Sequence, residues 1–352
     1  MSVVHVVVPA GVGDPERPSG GNVYDRMVCR RLAATGWSVH EHEIPGSWPL
    51  PDRAARAALG GTLRAVPDGC PVLVDGLVAS AAPEVLLPDM DRLRVVVLLH
   101  LPLGAADHLE GGGQERELLS AAAAVVVTSR WCRGWLVAEC AVPADRVHVA
   151  EPGVEAASLS RATEEGRRLL CVAAVTPAKG HDVLLEALER VRDLEWRCEV
   201  VGSLRRDPEH VRRLLARSRR GGIDARVQFV GPRTGAALDA SYAAADALVL
   251  ASRFETYGMV VTEALAHGLP VLATSVGGLP EALGRSVEGR RPGLLVPPDD
   301  AHALARALRR WLSDESLREG LRTAARQRRV TLTGWDLTAD VLSGVLAQVA
   351  AA

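Results

Sequence analysis

The chain has 352 residues, 48% of them hydrophobic and 24% charged, with 41 Lys and Arg against 43 Asp and Glu and a formal net charge of -2. At roughly 100–200 residues per domain this length implies two domains, with ample apolar material for two cores. The balanced charge excludes a global basic field for nucleic acid, and with seven Trp, three Tyr and two Phe the chain offers no base-stacking platform.

The longest apolar runs, 95–99 and 121–127, fall well short of the ~20 residues of a membrane helix. The opening residues lack the charged segment of a signal peptide. The expectation is a cytoplasmic protein without integral membrane association. Six cysteines are scattered at 29, 70, 132, 140, 171 and 198 without a CxxC pair, which predicts buried free thiols. His40 and His42 form an H-x-H with no third ligand nearby in sequence, so no metal site is expected.

In chain order, near-continuous valines predict a buried strand over 3–8, followed by a Gly- and Pro-rich loop over 9–21 and a helix over 22–35 stopped by Gly36. Further strands are predicted at 38–43, 72–75, 95–100, 124–128 and 146–149. The second half repeats the scheme. Strands are expected at 169–175, 198–201, 227–230, 247–251, 271–274 and 294–296, and helices at 182–192, 208–219, 238–245, 260–267, 279–283 and 301–313. Strands alternating with helices imply parallel, doubly wound α/β sheets. The polar, aperiodic stretch 155–166 reads as a linker, and a last helix over 336–349 follows Gly334 and Trp335.

The residues richest in chemistry are those of 251–270, where Glu255 falls in a loop after a strand and Glu263 on the helix that follows. Eight helical residues span about 12 Å, too far for a retaining glycosidase pair at ~5 Å. The spacing suits a two-point grip on a ligand with hydroxyls at its ends and an anion between them. Gly258 allows close backbone approach, and the orphan N–H groups that open the helix favour that anion. Lys179-Gly180, in a strand-to-helix turn, places a cation where a phosphate would sit over a helix N-terminus. Ser19-Gly20-Gly21 occupies the equivalent turn after the first strand, and His100 ends an apolar strand at the carboxyl edge where open α/β sheets bind ligands. Taken singly, each has a structural reading: a capping Glu255, a solvated Glu263 or Lys179, a packing His100.

Together these segments resemble family 4 of the glycosyltransferases. The residues that carry the resemblance are Ser252, Glu255, Gly258, Glu263-Ala264, Gly268 and Pro270, the family's E-x7-E block, with Lys179-Gly180, Ser19-Gly20-Gly21, Gly277-Gly278 and Gly293-Leu-Leu-Val-Pro-Pro-Asp. The likeness extends over nearly the whole chain. It implies the GT-B fold, two facing Rossmann-like doubly wound domains with a C-terminal helix returning to the first. The domains would be an acceptor-binding one at 1–155, a donor-binding one at 166–330 and the crossing helix at 335–352.

The resemblance further implies that Glu263 holds the donor ribose and Glu255 the donor sugar, while Tyr257, Gly258, Met259 and Val260 offer backbone contacts. Lys179 would bind the diphosphate, Gly20 and Gly21 would approach it from the other domain, and His100 would lie near the sugar. The expected activity is retaining, metal-independent transfer of a hexose-type sugar from a UDP- or GDP-sugar, with no cofactor, to a hydroxyl or amine of a small soluble acceptor. The loops at 46–51 and 104–113 are too generic to identify that acceptor. One departure stands out: the family's usual Arg five residues before the Lys is here Ala174, and Arg205 or Arg206 is the expected replacement. The alternatives are a catalytically silent nucleotide-sugar-binding subunit, or a related epimerase or phosphorylase.

Overall fold

The structure, a computed structural model, describes residues 2–16, 18–105 and 112–351. The chain divides into two compact units, one of Met1–Gly13, Gly20–Gly153 and Gly334–Ala352, the other of Asp14–Ser19 and Val154–Thr333. The loop at 104–113 lies largely outside the described residues.

In the first unit β1 (Ser2–Pro9), α1 (Gly20–Ala34), β2 (Trp37–Ile44), α2 (Arg53–Ala65), β3 (Pro71–Asp75), α3 (Gly76–Ala81), α4 (Pro83–Leu86), β4 (Arg94–Leu99), α5 (Gly112–Ala121), β5 (Ala124–Val127), α6 (Arg130–Glu139) and β6 (Val147–Val149) follow in order. The six strands are parallel, in the order β2-β1-β3-β4-β5-β6. β3 and β5 are buried at every residue, as strands covered on both faces must be, and hence read as unbroken apolar runs. The strand order reverses between β1 and β3, which opens a crevice at the carboxyl ends of those strands.

The second unit contains β7 (Arg168–Val172), α7 (His181–Glu189), β8 (Arg197–Val201), α8 (Pro208–Arg220), β9 (Val227–Gly231), α9 (Ala236–Ala244), β10 (Ala247–Leu250), α10 (Met259–Ala266), β11 (Val271–Thr274), α11 (Leu279–Leu283), β12 (Gly293–Val296), α12 (Ala301–Ser313) and α13 (Glu315–Arg329). Its parallel sheet runs β12-β11-β10-β7-β8-β9, with the switch point between β7 and β10. The stretch over 155–166 is irregular chain bound to this unit. Ser160 N donates to the His267 carbonyl at 2.9 Å, and Thr163 N and Oγ1 donate to the fully buried Asp246 at 2.6 and 2.8 Å. Trp311, also fully buried, donates its indole N–H to Gly166 O at 2.7 Å.

The last helix, α14 (Trp335–Ala351), packs on α1. Trp335 meets the Tyr24 ring edge-on at 5.4 Å, and the Trp37 indole donates to Ser343 Oγ at 2.8 Å. A Cβ on Gly153 would lie 2.3 Å from Trp335 N, so only glycine lets the chain pass under the helix start.

Three expectations need correction. The strand predicted over 169–175 stops at Val172, where the chain bends toward Lys179, and that over 95–100 stops at Leu99, which leaves His100 to begin a loop. The imidazole pair His40 and His42 also has a third ring beside it. The β1–β2 register sets His5 opposite His40, because residues far apart in sequence become neighbours across a parallel pair. No helix among the described residues is long and apolar enough to cross a membrane.

Candidate functional site

The second unit builds one site at its switch point. β7 ends in a turn through a short helix, Pro177–Lys179, and Gly180 then takes the left-handed conformation (φ 63°) before α7. A Cβ at Gly180 would lie 1.9 Å from Ala251 O, so the turn lies directly on the loop that follows β10. That loop carries Glu255. Lys179 Nζ donates to Glu255 Oε1 at 2.6 Å, and the buried Ser252 Oγ donates to the same oxygen at 3.0 Å. The two ionised side chains are 27% and 13% exposed, so the pair is screened from water yet reachable from the crevice.

Gly258, also left-handed (φ 92°), starts α10, with its Cβ position occupied by Leu279 Cδ2 at 2.4 Å. Met259 and Val260 therefore open the helix beside the Lys179–Glu255 pair, their backbone donors pointing out of the helix N-terminus. Tyr257 is buried in the unit's core. Glu263 lies further along α10, where the buried Tyr242 hydroxyl donates to its Oε2 at 2.7 Å. Burial raises the Glu263 carboxyl above the usual range, against the lowering by that hydrogen bond.

The expected replacement for the missing arginine lies next door. Ala173 N and Val175 N bond to Val201 O and Ser203 O at 2.9 and 3.0 Å, so the loop after β8 leaves directly beside Ala174. Arg205, 79% exposed on that loop, stands 3.4 Å from Glu16.

Arg253 carries no local signature in the sequence. It forks onto Asp182 of α7 at 2.9 and 2.7 Å and onto Asp299 at 2.7 Å, and donates to Pro177 O. It thus clamps the Glu255 loop to the Lys179 turn. Burial pushes Asp182 up, but the Arg253 fork holds its carboxyl below the ordinary range.

The first unit gathers a second group at its own switch point. Gly20 opens α1, and a Cβ on Gly21 would stand 3.1 Å from His100 Cδ2. Beneath His100 lie two buried acids absent from the sequence reading. Asp25 Oδ1 is 2.7 Å and Asp75 Oδ2 3.6 Å from His100 Nε2. Asp75 also caps α3, accepting from Leu77 N and Val78 N at 2.8 and 3.2 Å. Burial opposes charge on His100, yet the two carboxylates raise its pKa, with Asp25 the stronger. Burial and the Asp25 charge push Asp75 up to about 7. The ligand atoms of this triad lie within 4.8 Å of one another, but the short His100–Asp25 bond and the α3 cap already use them. A V-D-G at a strand end could have flagged Asp75; Asp25, in mid-helix, carries no local signature.

Two six-stranded parallel sheets, each with a ligand-facing switch point, and a terminal helix seated on the first define a GT-B glycosyltransferase fold. Solved structures share it. Sucrose-phosphate synthase of Thermosynechococcus elongatus, 22% identical, matches with a TM-score of 0.78 over 99% of both chains. Anabaena HepE in complex with UDP and glucose, 17% identical, matches with a TM-score of 0.79 over 98% of this chain and 99% of its own.

Residues 158–328 match the family model for glycosyl transferases group 1. The D-inositol 3-phosphate glycosyltransferase of Jonesia denitrificans is 31% identical over 252 residues, 66% of this chain and 58% of that protein. That of Salinispora arenicola is 33% identical over 265 residues, 68% of this chain and 57% of that protein. The chain therefore spans somewhat over half the length of these curated relatives. It belongs to the family 4 glycosyltransferases.

Proposed function

We propose that this chain moves a hexose-type sugar from a UDP- or GDP-sugar to a hydroxyl or amine of a small soluble acceptor in the cytoplasm, with retention and without a metal ion. The observation that carries the reading is the Lys179–Glu255 pair at the switch point, beside the N-terminus of α10. Donor binding turns the Lys179 ammonium from Glu255 to the diphosphate, joined by the α10 backbone donors. Glu255, still held by Ser252, then accepts hydroxyls of the sugar. Tyr242 fixes the Glu263 carboxylate for the ribose hydroxyls. In the transfer step the anomeric C–O bond to the diphosphate breaks and the acceptor oxygen bonds to that carbon on the same face. The acceptor proton passes to the departing phosphate oxygen. Charge growing on the leaving group is met by Lys179, the α10 N-terminus and Arg205 or Arg206.

The relatives named above act, by name, on inositol 3-phosphate, and the Anabaena neighbour holds UDP. Both agree with a nucleotide-sugar donor and a small polar acceptor. Ala174 favours one competing reading, a binder without turnover. Melting curves with a panel of nucleoside-diphosphate sugars test the first step, because a ligand of the folded state alone raises the melting temperature. Slow hydrolysis of the stabilising donor without acceptor separates the two readings. Stabilisation without hydrolysis supports the binder, and no stabilisation by any UDP- or GDP-sugar rejects both.

A further inference from the structure

A second cluster stands away from the candidate site. β1 and β2 pair in parallel with His5 opposite His40, and His42 lies two residues along β2, on the same sheet face as His40. All three imidazoles therefore project from one side of the sheet. The His5 ring lies nearly parallel to both others, at centroid distances of 5.1 Å to His40 and 5.2 Å to His42. His5 Nδ1 and His42 Nε2 are 2.9 Å apart. The cluster is four residues before the end of β1, about 13 Å from the carboxyl edge of the first unit's sheet, where His100 lies.

We propose that His5, His40 and His42 form a binding site for a divalent zinc-class metal ion that ties the edge strand β2 to β1. Two nitrogens bound to one ion at about 2.0–2.1 Å, with an angle between a right angle and the tetrahedral one, stand about 2.9–3.4 Å apart. The His5–His42 separation falls at the short end of that range. In the free protein one of these nitrogens donates its N–H to the lone pair of the other; a change of tautomer in the donor ring, with ring rotation and almost no movement of the strands, turns both lone pairs to a shared ion. His40 is exposed, stacks on His5 and makes a long 3.4 Å contact with Ser38 Oγ, so a swing of its ring brings it in as the third ligand. Water completes a tetrahedron. The all-nitrogen donor set suits zinc, nickel or copper and excludes magnesium and calcium, which require oxygen. The H-x-H spacing is visible in the sequence, but only the β1–β2 register supplies the third imidazole.

The test is titration of the untagged full chain, freed of metal, with zinc sulfate by calorimetry, paired with melting curves. The expected result is saturable binding of one ion and a rise in melting temperature, both lost in His42→Gln and in His5→Gln. If His5→Gln does not fold, His40→Gln, at an exposed position, takes its place beside His42→Gln. Copper added in place of zinc should show nitrogen hyperfine coupling in its paramagnetic spectrum, with one nitrogen fewer in His40→Gln. No saturable binding, or binding unchanged by the histidine substitutions, overturns the site.

Discussion

Lys179 is the residue on which the donor chemistry turns. Its ammonium pairs with Glu255 in the free protein, and in the proposed function it meets a diphosphate when donor binds. Charge increases on that diphosphate as the glycosidic bond breaks, so Lys179→Ala should lower kcat as well as donor affinity. The loss in kcat/KM should be about ten- to a hundredfold, the effect of one charge-assisted contact. Glu263→Gln should instead mainly raise the donor KM, since ribose is remote from the reacting bond. Steady-state kinetics on both variants checks this, and wild-type kcat in Lys179→Ala would remove the residue from the mechanism. The acids under His100 make a prediction about pH. Asp75 is pushed up to about 7 from 3.8, so the folded state holds its proton more tightly than the unfolded chain. Stability from that proton is complete below the unfolded value and is lost as pH rises through about 7. His100, also raised, changes stability in the same direction. Asp75→Asn keeps an oxygen for the Leu77 and Val78 N–H groups and has nothing to titrate. Its melting temperature should fall less than that of the wild type between about pH 4 and 8. Parallel curves would show that Asp75 is ionised throughout.

At the level of elements, Arg253 ties the loop over 251–258, which carries Glu255, to the start of α7. A planar fork onto Asp182 and Asp299 is not reproduced by an ammonium. Arg253→Ala should therefore reduce kcat/KM although Arg253 touches neither Lys179 nor Glu255, and Arg253→Lys should recover only part of the loss. Gly153 plays a comparable part for α14. A methyl group there would displace Gly334 and Trp335, so Gly153→Ala should lower the melting temperature and increase amide exchange across the last helix. These elements differ in how legible they are in sequence. The central strands of both sheets can be read from their apolar runs, because parallel strands buried on two faces leave no other pattern, whereas the edge strand β2 is buried only at Trp37 and Ile44 and alternates His and Glu between them. α2 is hidden by its paired glycines, Gly60 and Gly61, and depends on Asp52 capping Ala55 N at 2.8 Å. α13 is hidden by its arginines, of which Arg318 and Arg322 are buried. The E-x7-E block and Lys179 are legible because loop, glycine and helix start are contiguous. Asp25, Arg253 and His5 are not, since each acquires its role only from a partner brought in by register or tertiary packing.

For the whole molecule, the charge inventory leads to a prediction about stereochemistry and metal. In the proposed donor site, positive potential comes from Lys179 and from the backbone donors that open α10, while Arg205, paired with Glu16, lies on the loop after β8 that leaves beside Ala174. A leaving diphosphate so surrounded needs no divalent ion to offset its charge. Glu255 and Glu263, the two carboxylates of the E-x7-E block, are held by Lys179, Ser252 and Tyr242, in positions suited to binding hydroxyls. Neither is placed as a free base to deprotonate an acceptor from the far side of the sugar, as inversion would require. In the proposed mechanism, which follows the family resemblance, the leaving phosphate is the base and the new bond forms on the face it vacates. The product should carry the anomeric configuration of the donor, read by NMR from the coupling constant of its anomeric proton. Turnover should be unchanged by EDTA, while the same chelator should reverse any zinc-induced rise in melting temperature, because the histidine cluster and the donor site are separate. An inverted product, or turnover abolished by EDTA and restored by magnesium, would assign the chemistry to a base and a cation outside the Lys179–Glu255 site.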